Sequence, residues 1–391
     1  MAADFQNEEL GEVAELFDSL HQTPQYSGEG YPMIRVTDIR RGYVDTSNAI
    51  KVDEATYLEF SKKHRPKVGD ILFSRVGSYG NSAYVNRYEE FCLGQNTVCI
   101  SSERSRIEPT FLYFALNSGA LRDQIESLVG GASQGTISLK SIRKLQIPLP
   151  PLPIQRRIAG ILSAYDELIE NSQRRIKILE SMARGLYREW FVHFRFPGHE
   201  HHPRVPSPLG EIPEGWEVKK LGTLADISWG DTSTTKAAYV EEGYAAYSAS
   251  GLDGKLDHYD FDRVGIVLSA IGAQCGKTWL ARGKWSCIKN TIRFWSKNEC
   301  VSTEFLFIAT LGQDFWPRRG AAQPFISQGD AERIDVLIPD RVTMNRFTIF
   351  AAVSLKHIAT LNSQIQNFRR TRDLLLPRLL SGQIDVEAIA S

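Results

Sequence analysis

The chain has 391 residues, of which 42% are hydrophobic and 24% charged, with 30 Gly and 17 Pro. This composition excludes disordered, collagenous and fibrous proteins, and at about 100–200 residues per domain it predicts two or three globular domains. Basic and acidic side chains each number 46, so the net charge is zero, whereas nucleic-acid-binding proteins usually carry a basic excess.

Signals for export and membrane insertion are missing from the sequence. The first basic residue is Arg35, and a secretory signal needs a basic start followed by an apolar stretch. No run of about 18 apolar residues is present, so we expect no membrane span. The five cysteines are odd in number and scattered, which favours reduced thiols. We therefore expect a cytoplasmic protein.

Short strings of the first half recur in the second half in the same order. The matches are Leu10–Val13 with Leu221–Leu224, Gly42–Asp45 with Gly254–Asp257, Asp70–Gly77 with Gly265–Gly272, Asn96–Thr97 with Asn290–Thr291, and Gln134–Ser138 with Gln323–Ser327. Charge follows the same period, because 1–150 and 200–342 are slightly acidic whereas 151–199 and 343–391 are slightly basic. A period of roughly 190 residues indicates a duplicated domain and not a solenoid.

Each copy opens with a stretch of short predicted elements. The apolar runs Ile71–Phe73 and Ile266–Leu268 are typical of buried strands. The runs Phe111–Leu116 and Phe305–Ala309 predict short helices. We therefore predict an α/β (α+β) fold class with one globular domain in each copy.

A long helix follows each globular part. No proline occurs between Pro153 and Pro197, and apolar residues there alternate at spacings of three and four, which indicates a heptad seam. Arg372 interrupts the seam of the second copy. The two helices are expected to pair antiparallel as a coiled coil, with the domains in a pseudo-two-fold arrangement. The predicted helix-pair interface consists of Tyr165, Ile169, Ile176, Leu179, Leu186, Ile358, Leu361, Ile365, Phe368 and Leu375.

These patterns divide the chain into six segments. They are a first globular domain (1–150), a first long helix (151–196), a Pro-rich linker (197–210), a second globular domain (211–342), a second long helix (343–382) and a C-terminal tail (383–391).

Motifs for catalysis or metal binding are weak. Gly272–Thr278 resembles a phosphate-binding loop but has three residues between its glycines where that loop needs four. His199–His202 contains three histidines and a glutamate, but it lies in the linker without paired cysteines. We predict no metal site and no catalytic residue, with a nucleotide site at Lys277 as a minor alternative.

Polar and basic loops recur at corresponding places of both copies and suit DNA recognition. Arg reads guanine, Asn and Gln read adenine, and Ser or Thr reads either base. Ordinary solvated loops are the alternative interpretation for any one residue. The candidate DNA-binding residues are Arg35, Thr37, Asp38, Arg40, Arg41, Ser74, Arg75, Ser78, Tyr79, Asn81, Gln134, Thr136, Ser248, Ser250, Gln274, Lys277, Arg318, Arg319 and Gln323.

Three strings resemble the specificity subunit (HsdS) of prokaryotic type I restriction–modification systems. Ile147–Leu162 is similar to its junction between recognition domain and helix, Ile212–Gly222 to the opening of a recognition domain, and Leu374–Gly382 to the end of its second helix. The turns at Gly77 and Gly272 match its strand–Gly–x–x–Gly segment. The first copy lacks the Pro-x-Gly-Trp opening, and Ile338–Arg341 lacks the run of prolines.

The resemblance implies a non-catalytic subunit for defence against phage. It implies that each globular domain is a target-recognition domain for one half of a bipartite, asymmetric double-stranded DNA target, and that the helix pair sets the spacing. The implied partners are two modification subunits (HsdM), which use S-adenosylmethionine to methylate adenine N6, and restriction subunits (HsdR), which use ATP and Mg. This chain itself would hold no cofactor.

Other interpretations stay open on the residues alone. One is a coiled-coil scaffold that binds partners but no DNA, and another is a nucleotide-binding enzyme that uses Lys277. A third is a specificity subunit of a system with a fused or single modification subunit. Because the net charge is zero, we expect weak DNA binding by the isolated chain, and exposure of the seam would permit self-association.

Overall fold

A computed structural model describes residues 5–130, 135–297, 299–320 and 322–386 of the chain. Two compact units emerge within these ranges. Unit 1 comprises the described residues up to Ser172 and from Ser363 onwards, and unit 2 comprises Gln173–Asn362. None of the helices in these ranges combines the length and the apolar character that a membrane crossing requires.

Unit 1 is built on a four-stranded sheet with the order β2-β8-β5-β6 and a three-stranded sheet with the order β4-β3-β7. Its strands are β1 (Asn7–Glu9), β2 (Ala14–Asp18), β3 (Tyr31–Ile34), β4 (Ile50–Val52), β5 (Ile71–Ser74), β6 (Ser82–Tyr84), β7 (Cys92–Leu93), β8 (Thr97–Ser102) and β9 (Gln146–Pro148). Its helices are α1 (Leu10–Val13), α2 (Glu54–Phe60), α3 (Pro109–Leu116), α4 (Gly119–Leu128), α5 (Leu139–Arg143) and the first part of α6 (Leu152–Tyr187).

The core of unit 1 forms where the apolar strand β5 meets helix α3. Phe73 and Phe111 are fully buried there, and Leu376 and Leu379 from the end of the second long helix join the same cluster. Burying side chains of this size removes a large apolar area from water, at about 25 cal/mol per Å2. The end of the second long helix is therefore part of the first globular core.

Unit 2 repeats this plan with two four-stranded sheets, ordered β13-β20-β17-β18 and β15-β14-β19-β16. Its strands are β10 (Arg204–Ser207), β11 (Gly210–Pro213), β12 (Glu217–Lys220), β13 (Ala225–Trp229), β14 (Tyr244–Ser248), β15 (Gly251–Leu256), β16 (Phe261–Asp262), β17 (Gly265–Ser269), β18 (Thr278–Ala281), β19 (Lys284–Cys287), β20 (Thr291–Ser296) and β21 (Asp335–Ile338). Its helices are α7 (Leu221–Leu224), α8 (Thr303–Ala309), α9 (Gln328–Glu332) and the first part of α10 (Arg341–Leu380). The predicted mixed α/β class is confirmed.

The predicted duplication is confirmed by backbone hydrogen bonds that recur at matching residues. The equivalent pairs are Ser74 N to Asn81 O and Ser269 N to Lys277 O, Arg75 N to Asn96 O and Ala270 N to Asn290 O, Ile137 N to Arg75 O and Ile326 N to Ala270 O, and Leu10 N to Leu145 O and Leu221 N to Ile334 O. Asn96 and Asn290 share a left-handed backbone, with φ of 62° and 70°. Asn tolerates that conformation better than most residues, which explains the recurring Asn-Thr pair.

One predicted match between the copies is wrong. Gly254 lies within β15, whereas Gly42 lies in a loop before β4. The structural counterparts are instead Gly30 and Gly243, because a Cβ at either position would lie 2.2 Å from a carbonyl oxygen, of Val52 or of Leu256 respectively. Both glycines also have positive φ. A turn in which any side chain would collide with backbone needs glycine, and this requirement is a better guide to the match than the strings.

In unit 1 the long helices α6 and α10 pack antiparallel. Asp166 forms an ion pair with Arg372, and the earlier Arg157 donates to the later Val386 O (3.3 Å). Tyr165 and Phe368 have ring centroids 6.4 Å apart, and Ile169 and Ile365 are buried. Ser172, the polar position of the seam, is buried and donates to Leu168 O (2.7 Å).

In unit 2 the same two helices also pack antiparallel. Arg175 contacts His357 (3.0 Å), and the later Tyr187 contacts the earlier Phe347 with ring centroids 6.0 Å apart. The remaining positions of the predicted seam are also the less exposed ones: Leu361 is buried, and Ile176, Leu179, Leu186, Ile358, Phe368 and Leu375 are half-buried.

The ion pair of unit 1 has an apolar counterpart in unit 2. One offset in residue number relates Ser138 to Ser327, Leu145 to Ile334 and the helix starts Leu152 to Arg341. The same offset makes Leu355 equivalent to Asp166 and Ala183 equivalent to Arg372. Leu355 and Ala183 both belong to the apolar core of unit 2. The duplicated helix pair is therefore polar at one of its two equivalent positions and apolar at the other.

The segment predicted as a linker carries regular structure. Arg204–Ser207 pairs antiparallel with Gly210–Pro213, and His199–His201 forms a turn of 3-10 helix. A π-helical turn at Arg188–Val192 follows α6 and places Phe191 against Phe347, with centroids 4.9 Å apart. This segment is thereby held to the core of unit 2.

Candidate functional site

Several strand ends meet at one edge of unit 1. Ser74, the last residue of β5, lies opposite Thr97, the first residue of β8. Ile34, the last residue of β3, accepts a hydrogen bond from Gly94 N (2.8 Å) just after β7. The loops that follow these strands therefore lie side by side. We call this the first loop edge, formed by residues 35–38, 75–81, 94–96 and 135–137.

Hydrogen bonds join these loops directly. Arg75 N donates to Asn96 O (2.9 Å), and Val76 forms a β-bridge with Thr136. Gly94 lies against the side chain of Arg35. Stretches that the sequence predicted as separate candidates are thus brought together by the sheet.

The loop after β3 is organised by an ion pair within itself. Asp38 accepts hydrogen bonds from Arg35 N (3.0 Å) and Arg35 Nε (3.1 Å). The hydrogen bond to Asp38 is the main cause of the raised pKa of Arg35, which keeps the guanidinium charged. Thr37 and Arg40 are exposed on this loop. Arg41 instead points to the second long helix and pairs with Asp373 (3.1 Å).

Two predicted contact residues of this edge are corrected by the structure. Ser74 is fully buried, and a hydroxyl inside the protein cannot reach a base edge. Arg75 binds both oxygens of Asp18 (2.8 and 2.7 Å) and donates to Ile137 O, and its side chain is only 13% exposed. Arg75 therefore holds three segments of the edge together and is not free to contact DNA.

The turn after β5 keeps its predicted polar surface. Ser78 is exposed and Asn81 is half-buried. Tyr79 packs against the core beside Val129, so it supports the turn with one side of its ring. Thr136 is exposed. Gln134 lies outside the described residues.

Unit 2 forms the equivalent second loop edge, which comprises residues 248–250, 270–277, 288–290 and 323–326. Ser269 lies opposite Thr291, Ile288 N donates to Tyr247 O (2.9 Å), and Gly272 N donates to Pro324 O (2.9 Å). Thr234 O, from a preceding loop, accepts from Lys289 N (3.3 Å). The same strand ends therefore build the same edge a second time.

A carboxylate cluster that sequence patterns did not reveal organises the start of the second loop edge. Asp253 accepts hydrogen bonds from Lys236, Tyr239 (2.7 Å) and Ser248 (2.7 Å). Desolvation alone would raise the pKa of Asp253, but these donors outweigh it and lower the pKa. Ser248 is buried in this cluster, which corrects its prediction as a contact residue, whereas Ser250 is exposed.

Two lysines stand out on the second loop edge. Lys277 and Lys289 are exposed, and neither forms an ion pair with the rest of the described chain. Lys289 was missed by sequence reasoning, although it directly precedes the recurring Asn-Thr pair. Lys277 is the counterpart of Asn81, since the two accept equivalent hydrogen bonds from the preceding strand. These lysines are available to an anionic ligand.

The remaining candidates lie beside these lysines with mixed freedom. Arg319 pairs with the buried Asp330, and Arg318 pairs with Asp314 (3.0 Å), whose side chain is 99% exposed. Gln323 is exposed and Gln274 is half-buried. Gly272 and Gly276 have positive φ, as do Gly77 and Gly80 in unit 1. A glycine turn shared by both units is explained by backbone conformation, without a nucleotide.

One group of residues in the described chain has the geometry to hold a metal ion: His64, Asp70 and Cys99 in unit 1. His64 Nε2 and Asp70 Oδ2 are 2.6 Å apart, and Cys99 Sγ is 3.4 Å from the same oxygen. These contacts already satisfy the carboxylate by hydrogen bonding. The linker histidines do not converge, because His199 and His202 bond to the carbonyls of Phe196 and Glu214.

The buried thiols are poor nucleophiles. Desolvation raises the pKa of Cys92 and of Cys287 to about 12, and it raises that of Cys99 well above its usual value. A nucleophilic cysteine needs a thiolate near neutral pH. These three side chains therefore serve as small core residues.

Asp70 makes the stability of unit 1 depend on pH. Burial would raise its pKa, but hydrogen bonds from His64, Lys67 N and Ser101 outweigh this and lower it. The unfolded chain then takes up a proton first as pH falls, so we expect the stability from Asp70 to be complete above about pH 4 and to decline below it. Urea unfolding at pH 5 and pH 3 measures this loss, and in Asp70→Asn we expect less stability at pH 5 and a smaller decline. An equal decline in both proteins would contradict the assignment.

Comparisons with known proteins agree with this duplicated architecture. A family model described as "Type I restriction modification DNA specificity domain" matches the chain twice, at residues 3–181 and 213–364. The MjaIX specificity subunit of a type I restriction enzyme from Methanocaldococcus jannaschii is 22% identical, over 97% of this chain and 93% of that protein. The putative MjaX specificity subunit from the same organism is 32% identical over 56% of this chain, which spans about half of that relative's length (52%).

A solved structure shares the fold. The S subunit of a type I restriction–modification system from M. genitalium superposes with a TM-score of 0.61, at 18% identity and over 96% of both chains. At this identity the likeness concerns the fold. The loop edges, where the two copies differ most in charge, rest on the geometry above.

Proposed function

Because the chain belongs to the type I restriction modification DNA specificity family, we propose that it reads a bipartite, asymmetric double-stranded DNA target for a methyltransferase complex. Each loop edge would read one half of the target. The observation that supports this best is one framework used twice with different side chains at the same positions. Arg35 is replaced by Ser248, Asn81 by Lys277 and Thr136 by Phe325.

The exchange of side chains supports an asymmetric target. Arg, Asn and Thr hydrogen-bond differently to base edges, and a lysine at the Asn81 position offers three donors and no acceptor. Two edges with different donors and acceptors would prefer different base sequences. Phosphate contacts from Lys277 and Lys289 would position the second edge without reading sequence.

The partners would supply the chemistry. In the proposed complex, two modification subunits bind S-adenosylmethionine and methylate adenine N6, and restriction subunits use ATP and Mg to act on DNA. This chain would then be non-catalytic, and its zero net charge suits a subunit that shares the phosphate grip with its partners. Binding of DNA by the isolated chain is expected to be weak.

Methylome sequencing tests the proposal. A host that carries this chain with its neighbouring methyltransferase should show N6-methyladenine at a split motif, and deletion of this chain alone should abolish it. Replacing residues 1–150 by the corresponding domain of another specificity subunit should change one half of the motif and leave the other half unchanged. An identical methylome with and without the chain would contradict DNA recognition and favour the scaffold.

A further inference from the structure

A cleft of about 240 Å3 lies within unit 1 where the first long helix meets the globular part. It has no role in the loop edge described above. Three tyrosines line one side of it, and two carboxylates from the helix line the other. The lining residues are Tyr43, Val68, Tyr84, Asn86, Thr110, Tyr113, Phe114, Ser163, Asp166 and Glu167. We call it the tyrosine cleft.

The rings of the tyrosine cleft are inclined to one another. The centroids of Tyr43 and Tyr84 lie 6.4 Å apart at an angle of 53°, and those of Tyr84 and Tyr113 lie 5.7 Å apart at 51°. Tyr113 is 2% exposed, and its hydroxyl accepts a hydrogen bond from Gly42 N (2.8 Å). The hydroxyl of Tyr84 accepts from Thr110 (3.1 Å). Rings fixed at such angles around a cavity are the arrangement that binds organic cations in aromatic cages.

The charge around the cleft is acidic. Burial is the main cause that raises the pKa of Tyr43 to about 12, and the carboxylates of Asp166, Glu170 and Glu167 raise it further. Arg372 neutralises part of Asp166. Among the described residues, Glu167 forms no ion pair and is exposed at the mouth of the cleft.

These features select the ligand. An acidic cleft repels phosphate, so DNA is excluded as its occupant. Aromatic faces combined with a carboxylate favour a cation with a flat, weakly hydrated surface, and the guanidinium of arginine meets both requirements. The cleft has room for one such side chain. We propose that the tyrosine cleft binds an arginine side chain of a modification subunit, an inference that rests on the proposed function.

The second unit has no equivalent site. The offset between the copies places Leu355 where unit 1 has Asp166, and Lys356 where unit 1 has Glu167. A lysine at that position would repel an arginine. The two modification subunits of the complex would therefore be held differently, one of them with an additional charged anchor.

The test measures binding of the modification subunit to the full chain. Titration calorimetry and native mass spectrometry should give two bound subunits for the unchanged chain. Glu167→Lys is expected to weaken one of the two binding events at least tenfold, so that a complex with a single modification subunit accumulates. Glu167 is exposed, so this variant should fold. Tyr43→Ala should act like it, whereas Tyr43→Phe should retain binding because the ring is kept.

Glu126→Gln, on the exposed face of α4 and away from the cleft, serves as the matched control and should bind as the unchanged chain does. Two equally strong binding events in Glu167→Lys would overturn the cleft assignment and leave the proposed function standing. If the unchanged chain binds no modification subunit at all, the proposed function fails, and the inference falls with it.

Discussion

Replacement of Arg372 by alanine is expected to destabilise unit 1 by about 3–5 kcal/mol. The guanidinium is 11% exposed and pairs with Asp166, which is 12% exposed, and with Asp373 at 3.0 Å. Burial alone would lower the pKa of Arg372, but the two carboxylates outweigh it and raise the pKa. Removing the arginine leaves the Asp166 carboxylate buried with no cation of its own. Urea unfolding followed by circular dichroism measures the loss in the transition of unit 1.

A double variant separates the ion pair from the packing around it. Asp166→Leu combined with Arg372→Ala reproduces the pair that unit 2 already carries at Leu355 and Ala183, and we expect it to be about as stable as the unchanged chain. Buried ion pairs are often replaced by apolar residues without loss. Arg370→Ala, at an exposed position of the same helix, should change stability by less than about 0.5 kcal/mol. Single and double variants of equal stability would contradict this account.

Replacement of both Lys277 and Lys289 by alanine is expected to lower the DNA affinity of the assembled complex about 10- to 100-fold. Each lysine that neutralises a phosphate adds nearly one unit to the slope of log K against log salt concentration. We therefore expect the slope to fall by about 2 in the double variant. Fluorescence anisotropy over a range of salt concentrations gives both numbers.

The character of that loss distinguishes phosphate contacts from base reading. Both the recognised motif and unrelated DNA should be weakened, because phosphates carry no sequence information. Lys219→Ala, at an exposed lysine paired with Glu217 on β12, should change neither affinity nor slope. An unchanged slope in the double variant would show that these lysines do not face DNA.

Much of the fold could be predicted from the sequence because the signals were local or repeated. Heptad spacing predicted both long helices, and the recurring strings predicted the duplication before any strand was located. The Gly42 match failed for a physical reason. A short glycine string looks alike in a strand and in a loop, whereas the close approach of Gly30 to Val52 O becomes evident only when the chain is folded.

The loop edges were harder to predict because ion pairing acts over long sequence distances. Arg75 looked like a free basic residue, but Asp18 on another strand neutralises it. Asp253 has no local motif, and its three donors meet it through the sheet. Arg372 looked like a fault in an apolar seam, and its partner is 206 residues away in sequence.

The Asp166–Arg372 pair makes the two halves of the chain non-interchangeable. In an assembly of two first halves, Asp166 would face the residue equivalent to Arg372, which is Ala183. In an assembly of two second halves, Arg372 would face Leu355. Each arrangement would bury a charge with nothing opposite it, at a cost of several kcal/mol. New DNA specificities can therefore arise by exchanging the sequence between β1 and β9, but a shuffled chain that repeats one helix twice would assemble poorly.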